Sequence, residues 1–241
     1  MDWGDYAISY ALDPYEVVTD PVEWKGQDWV IASSLVLGGS LLILSDEYFA
    51  ESAQEYSSEW ANSTSKYLAE PLGSGLITLP AMAVLSTVGW AANDQQHVYV
   101  GLQGIKAYFL AGGATLALKF LFRRERPSEQ DVLDPLSFYG PFTPGTDHLS
   151  FPSGHTATVF AVATVVAKGY PETPWVGYMS YSLAGLAGLS RVYDGEHWSS
   201  DVYFGALLGW YIGHIIMEKP NWQMTAGQVK GQSTIGVVIP F

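Results

Sequence analysis

Six uncharged stretches set the terms for any fold of this 241-residue chain: Trp29 to Ser45, Pro71 to Asn93, Ala107 to Leu118, Thr156 to Ala167, Thr173 to Ser190 and Val202 to Met217. Runs of this length and apolarity read as helices. Only Pro71 to Asn93 is comfortably long enough to cross hydrocarbon, and several of the others are short or diluted by Gly, Ser and Thr. A mean hydropathy of +0.11 is low for six spans, and Lys and Arg do not alternate between loops as the positive-inside rule requires. The expectation is an all-α protein, a helical bundle of about six core helices. A soluble or peripheral protein is favoured, and an integral membrane protein is the open alternative.

The charges narrow the function classes. The chain carries 24 acidic and 11 basic residues, a formal charge of −13, which excludes a general nucleic-acid binder. The first 70 residues hold 13 of the acids against Lys25 and Lys66 alone, whereas four of the 11 bases lie between Lys119 and Arg126. An acidic chain thus keeps one compact positive island. The absence of cysteine excludes a disulfide scaffold, a thiolate nucleophile and Cys-ligated zinc or iron–sulfur centres. Met1 to Asp20 has five acids and no base, unlike a secretory signal or a transit peptide.

No repeat or linker divides the chain, so one domain is expected: an acidic N-terminal arm and helices over residues 1–70, a helical core over 71–224, and a short extended C-terminal tail over 225–241. Met1 to Asp28 reads as an irregular arm. In Asp46 to Glu70, Phe49, Ala53, Tyr56, Trp60 and Tyr67 recur at helical spacing, which predicts a surface helix packed on the core, with a lid or membrane-interface helix as the alternative. Pro127 to Pro152 holds five prolines and two glycines and reads as a long loop, a form that often walls a site. The β-branched run Ile235 to Ile239 reads as a strap along the surface.

Three clusters carry chemistry. In Lys119-Phe-Leu-Phe-Arg-Arg-Glu-Arg126-Pro127, Lys119 and Arg126 fall two turns apart on one face if the helix persists, within reach of one anion. A basic helix end that simply satisfies the helix dipole is the plainer reading of this cluster alone. In Phe151-Pro152-Ser153-Gly154-His155-Thr156, Ser153 is a natural N-cap and Gly154 allows close approach of backbone N–H groups to an anion. His155 in the first turn is placed to give a proton to a leaving oxygen. An ordinary capped helix with a solvent-facing histidine fits equally well. In Ser190-Arg191-Val-Tyr-Asp-Gly-Glu-His197-Trp-Ser-Ser-Asp201, His197 and Asp201 are one helical turn apart. The carboxylate would fix the imidazole tautomer and leave the other nitrogen as a nucleophile. A helix-start ion pair is the alternative.

Taken together, K-x6-R-P, P-S-G-H and S-R-x5-H-x3-D, in this order, resemble the three-part signature of the type 2 phosphatidic acid phosphatase and vanadium haloperoxidase superfamily, with all eleven specified residues present. The resemblance covers Lys119 to Asp201, with the helical pattern from Pro71 to Met217 fitting the family core. It implies a helical bundle with a phosphate or vanadate pocket at one end and metal-independent hydrolysis. Under it, His197 is the nucleophile that forms a phosphohistidine, Asp201 orients it, and His155 protonates the leaving alkoxide. Lys119, Arg126, Arg191, Ser153 and Gly154 cradle the phosphoryl oxygens. No metal ligand set and no cofactor are expected, with vanadate acting as an inhibitor. The implied substrate is a small phosphate ester or a phosphorylated lipid such as phosphatidate, phosphatidylglycerol phosphate or a polyprenyl diphosphate. The implied setting is the bacterial cell envelope, at a membrane surface, on the periplasmic side.

A haloperoxidase with vanadate as cofactor is the rival enzyme, disfavoured by the chain's compact length, and a catalytically silent helical membrane protein is a remote third reading. His97, His148 and His214 lie outside the motifs; His214 is expected in the core and His148 at the surface or the pocket mouth. Asp194 and Glu196 read as turn residues that keep Arg191 extended. Arg123 and Arg124 are expected either to widen the attraction for an anionic headgroup or to face water.

Overall fold

The computed structural model describes residues 3–56, 58–145, 148–218, 223–229 and 232–238. The chain is all-α apart from a C-terminal hairpin. Helices α1 (Trp3–Thr19), α2 (Gly26–Leu42), α3 (Asp46–Glu55), α4 (Glu59–Thr64) and the single turn α5 (Glu70–Gly73) precede the longer helices α6 (Thr78–Ala92), α7 (Gln95–Phe122), α8 (Gly154–Gly169), α9 (Pro174–Tyr193) and α10 (Ser199–Glu218).

Helix α8 is the centre of the bundle. Its Ala157, Ala161 and Val165 pack with Val100, Ala107 and Ala111 of α7 and Ile212 and Ile216 of α10. Its other face, Val159 and Ala163, packs on Ala184 and Ala187 of α9. Small side chains let the axes come close, most of all between α8 and α10. A Cβ on Gly205, Gly209 or Gly213 would lie 2.6, 2.2 or 2.6 Å from the carbonyl oxygens of Ser153, Ala157 and Ala161 respectively. Glycines four apart therefore bring the α10 backbone against the α8 backbone along three turns. At the top of this contact Ser153 N–H donates to the Asp201 carbonyl at 3.0 Å, which sets the start of α8 beside the start of α10.

The apolar stretches fold differently from the sequence expectation in three places. Pro71 to Asn93, the one stretch long enough to span, is broken: Gly75 takes φ 83°, with Tyr108 so close that a Cβ would lie 2.4 Å from its hydroxyl, and α6 starts only at Thr78. The segments on either side of the break, Glu59–Gly73 and Thr78–Ala92, meet at 53°. Conversely, α7 runs unbroken for 28 residues through Lys106. That buried ammonium is paired with Asp13 of α1 at 2.5 Å and donates to Ser9 at 2.9 Å. A charge neutralised by a partner far away in sequence does not interrupt a buried helix. Gly26–Glu55 is also continuous over 30 residues, and it and Gln95–Phe122 are long and apolar enough to cross a membrane. Only 6% of the apolar window in Gly26–Glu55 is buried, so Val30, Ile31, Leu37 and Leu41 present an exposed apolar face.

The termini also depart from expectation. The expected irregular arm is helix α1, docked by Asp13 and by the Tyr6 hydroxyl on the Leu102 carbonyl; Met1 and Asp2 lie outside the described residues. The expected single helix over Asp46 to Glu70 is divided into α3, α4 and a π-turn at Ser65–Ala69. Its stripe does not pack on the core, since Tyr56, Trp60 and Tyr67 are exposed; α3 instead buries Asp46 and Ala50. The tail is a hairpin, Gln223–Val229 against Gln232–Val238 with Gln223 opposite Val238, where one strap was expected; Pro240 and Phe241 lie outside the described residues.

The backbone contact at Gly209 yields a direct test. Gly209→Ala should cost about 1–3 kcal/mol of stability through overpacking. Gly113→Ala, where a Cβ meets nothing within 4 Å, should leave stability unchanged or raise it. Thermal melts of the two variants check this, and equal melting temperatures would contradict the close-packed contact.

Candidate active site

The three sequence clusters converge at the end of the bundle where α7 stops and α8 and α10 begin. Arg123 takes a left-handed conformation, φ 48°, which ends α7 with a non-glycine residue. Lys119 is therefore in the last helical turn, whereas Arg126 lies beyond the helix on extended backbone. The one-face argument for this pair fails for that reason. Lys119 Nζ donates to the carbonyls of Leu149 and Ser150, the latter at 3.0 Å. Arg126 pairs with Glu196 and lies 3.9 Å from Glu129.

Ser153 caps α8: its hydroxyl accepts from the Thr156 N–H at 3.4 Å and from the Thr156 hydroxyl at 2.9 Å. Gly154 opens the helix with Lys119 alongside, 3.7 Å from where a Cβ would sit. His155 follows, with α5 close enough that a Cβ on Gly73 would lie 2.7 Å from its own Cβ. Arg191 ends α9, buried, and donates to Asp194 at 2.5 Å. Asp194 in turn accepts from Ser65 at 2.7 Å. The Arg191 carbonyl accepts from the Glu196 and His197 N–H groups, both at 3.1 Å, so the turn folds back on the helix end. Asp194 and Glu196 are thus carboxylate partners of Arg191 and Arg126, more than the spacers the sequence indicates.

His197 is 4% exposed and lies in the turn before α10, not within it. Its Nδ1 is 3.6 Å from Asp201 Oδ2 and 3.4 Å from the Ser150 hydroxyl. Ser150 donates to the same carboxylate oxygen at 2.5 Å, as does the Trp198 N–H at 3.0 Å. The imidazole is therefore oriented through Nδ1 by a serine–aspartate pair, and Nε2 is the ring nitrogen that this pair does not engage.

Electrostatics ties the groups into one site. Burial pushes His197 down to about 4; Lys119 and Arg126 add to this, while Asp201 opposes it. Burial likewise pushes His155 down to about 4, assisted by Arg191, Lys119 and Arg126 and opposed by Glu70. Both imidazoles are thus neutral at pH 7 and answer to the same cations. Burial acts to raise Asp201, but His197, Arg124 and Ser150 outweigh it and hold the carboxyl below its ordinary value.

The sequence reading misses Ser150, Arg124 and Asp46. Arg124 neither faces water nor adds to an open basic surface: it is fully buried and donates to Asp201 at 2.5 Å and to Asp46 at 2.8 Å. Arg123 is buried too, with a donor on the Gly145 carbonyl at 2.7 Å. No local signal marks these residues; Asp46 is one acid among many in an acidic segment. Of the other histidines, His97 pairs with Asp94 at 2.9 Å and His148 stacks on Tyr139 at 4.3 Å. His214 is not a core residue; it is partly exposed and pairs with Glu218 at 2.7 Å near the end of α10. Among the described residues, no group of three or more His, Asp or Glu is placed to hold a metal ion.

Comparison with known proteins fits this geometry. The family model described as the PAP2 superfamily matches residues 102–225, just over half of the chain. The lipid A 1-phosphatase of Porphyromonas gingivalis is 32% identical over 163 residues, 62% of this chain and 33% of that protein. The decaprenylphosphoryl-5-phosphoribose phosphatase of Mycolicibacterium smegmatis is 33% identical over 125 residues, 52% of this chain and 61% of that one. The chain thus spans from a third to under two thirds of the length of these curated relatives. In fold it is similar to the transmembrane PAP2-type phosphatidylglycerolphosphate phosphatase of Bacillus subtilis, with TM-score 0.53, 21% identity and coverage of 76% of this chain and 92% of that one. It is also similar to Aquifex aeolicus LpxE, with TM-score 0.52, 24% identity and coverage of 72% and 94%. By its motifs, its fold and the extent of the family match, the chain belongs to the PAP2 superfamily.

Proposed function

We propose that the chain hydrolyses a phosphate monoester or diphosphate carried on a lipid, through a phosphohistidine on His197 and without a metal ion. The observation that carries this reading is the buried His197, oriented through Nδ1 by Ser150 and Asp201 and set among Lys119 and Arg126. Nε2 attacks the terminal phosphorus, its bond to the ester oxygen of a monoester or the bridging oxygen of a diphosphate breaks, and His155 gives that oxygen its proton. Water, giving a proton to His155, then attacks phosphorus and the P–N bond breaks, releasing inorganic phosphate and leaving His197 neutral and His155 protonated for the next cycle. Lys119, Arg126, Arg191, the Ser153 hydroxyl and the Gly154 N–H cradle the phosphoryl oxygens, where the transition state carries its charge.

The electrostatics supports this division of labour. A nucleophile held near 4 is unprotonated at neutral pH. His155 is depressed by burial and also by three cations that a phosphate dianion would neutralise, so substrate binding itself raises its proton affinity. The lipid class is supported by the relatives, whose names specify lipid A and a decaprenylphosphoryl sugar phosphate, and by the exposed apolar helices beside the site. We place the protein in the bacterial envelope membrane, with the site at the membrane surface on the periplasmic side.

Turnover of phosphatidate, phosphatidylglycerol phosphate and a polyprenyl diphosphate by the full chain in detergent tests the reading. His197→Ala should lose at least about a thousandfold in kcat, and a chelator should change nothing; wild-type turnover in the variant would sink the assignment. A second check concerns pH. Because His197 is depressed in the folded state, its contribution to stability is fully present above about 6.5 and is lost as pH falls from there toward 4. The melting-temperature advantage of wild type over His197→Gln should shrink between pH 7 and pH 5, and a constant or growing advantage would contradict a buried neutral imidazole.

A further inference from the structure

Behind Asp201, which orients His197, lies a buried cluster of charges that the motifs do not include. Arg124 is fully buried, its guanidinium over the rings of Phe138 and Trp198 at 4.9 and 5.1 Å. Nη1 donates to Asp201 Oδ1 at 2.5 Å and to the Ser200 hydroxyl at 2.8 Å, and Nη2 donates to Asp46 Oδ2 at 2.8 Å and to the Pro135 carbonyl at 2.6 Å. Asp46, also fully buried, accepts from the Ser199 hydroxyl at 2.6 Å, from the Ser200 N–H at 2.8 Å and from the Ser200 hydroxyl at 2.5 Å. One carboxylate from α3 therefore caps the start of α10 and shares an arginine with the carboxylate that orients His197. Asp46 lies outside the residues matched by the family model.

We infer that Asp46 and Arg124 are positioning residues for the reaction, acting through Asp201 on His197; this rests on the reading of His197 as nucleophile. The charge count supplies the reason. An arginine paired with Asp201 alone would cancel its charge in a dry site, and Asp201 would then do little for a cationic imidazole. With Asp46 on the other arm of the guanidinium, the buried triad keeps one net negative charge. That surplus is available to His197 as its ring becomes positive on phosphorylation. The same fork fixes Oδ1, so Oδ2 remains turned to Ser150, Trp198 and His197. A purely structural clamp would need the hydrogen bonds but not the second charge.

Asp46→Asn separates the helix cap from the charge: its amide oxygen still accepts from the Ser199 hydroxyl and the Ser200 N–H, while the charge and the bond from Arg124 are removed. Two anions report on it: orthovanadate, which becomes five-coordinate by bonding the free His197 nitrogen, and inorganic phosphate, which occupies the cradle without that bond. The variant should lose roughly 10- to 100-fold in kcat on an aryl phosphate and in orthovanadate affinity by calorimetry, with KM and phosphate affinity within about twofold of wild type. Arg124→Lys, which keeps the charge but cannot bridge two carboxylates, should show the same split, and it serves if Asp46→Asn does not fold. Unchanged kcat and orthovanadate affinity in a folded variant would overturn the inference, as would parallel losses of both anions in step with melting temperature. A wild-type chain that binds orthovanadate but turns over no ester would reject the proposed function while the two affinities still decide this point.

Discussion

The close backbone contact between α8 and α10 is the constraint on which the site depends. Gly205, Gly209 and Gly213 remove the side chains that would hold these helices apart, and the Ser153 N–H reaches the Asp201 carbonyl as a result. That single register places the capped N-terminus of α8, with His155 in its first turn, beside the turn that carries His197. α7 and α9, packed on α8, then deliver Lys119 and Arg191 from their last turns to the same end of the bundle. Three helix ends and one loop meet because one helix pair packs without side chains between its backbones.

Charge balance governs how so acidic a chain gathers its cations at this end of the bundle. Each arginine at or behind the site has a carboxylate partner: Arg191 has Asp194, Arg126 has Glu196, and Arg124 has Asp46 and Asp201. The site is therefore far from the triple positive charge that Lys119, Arg126 and Arg191 alone imply. In the proposed reaction an incoming phosphate would exchange with Asp194 and Glu196 for guanidinium donors already held in place, an exchange that needs little reorganisation. The buried carboxylates Asp46 and Asp201 are not available for such exchange, consistent with a role in orientation.

Much of the site was legible in the sequence because it is written in short segments. Ser153 and Gly154 open α8 where a cap and a close approach are needed, and the His197 to Asp201 spacing brings imidazole and carboxylate into one turn. The rest depends on contacts between distant positions. Arg124 meets Asp46 and Asp201 across 78 and 77 residues, and nothing in the surrounding residues distinguishes it from Arg123. Lys106, just before the uncharged stretch Ala107 to Leu118, stays within α7 because its counter-ion belongs to α1, and the break at Gly75 within Pro71 to Asn93 is packed against Tyr108 of α7. The condition on the Lys119 and Arg126 pairing fails for a related reason: Arg123 adopts a conformation usually left to glycine and ends α7 before Arg126.

The central claim is that phosphorus becomes bonded to His197. Rapid quenching of the full chain with a radiolabelled phosphate ester, followed by peptide mapping, tests it most directly. The account predicts a label that is stable in base, lost in acid, and confined to the peptide containing His197. Label on a serine, on His155, or absent while turnover proceeds would contradict it.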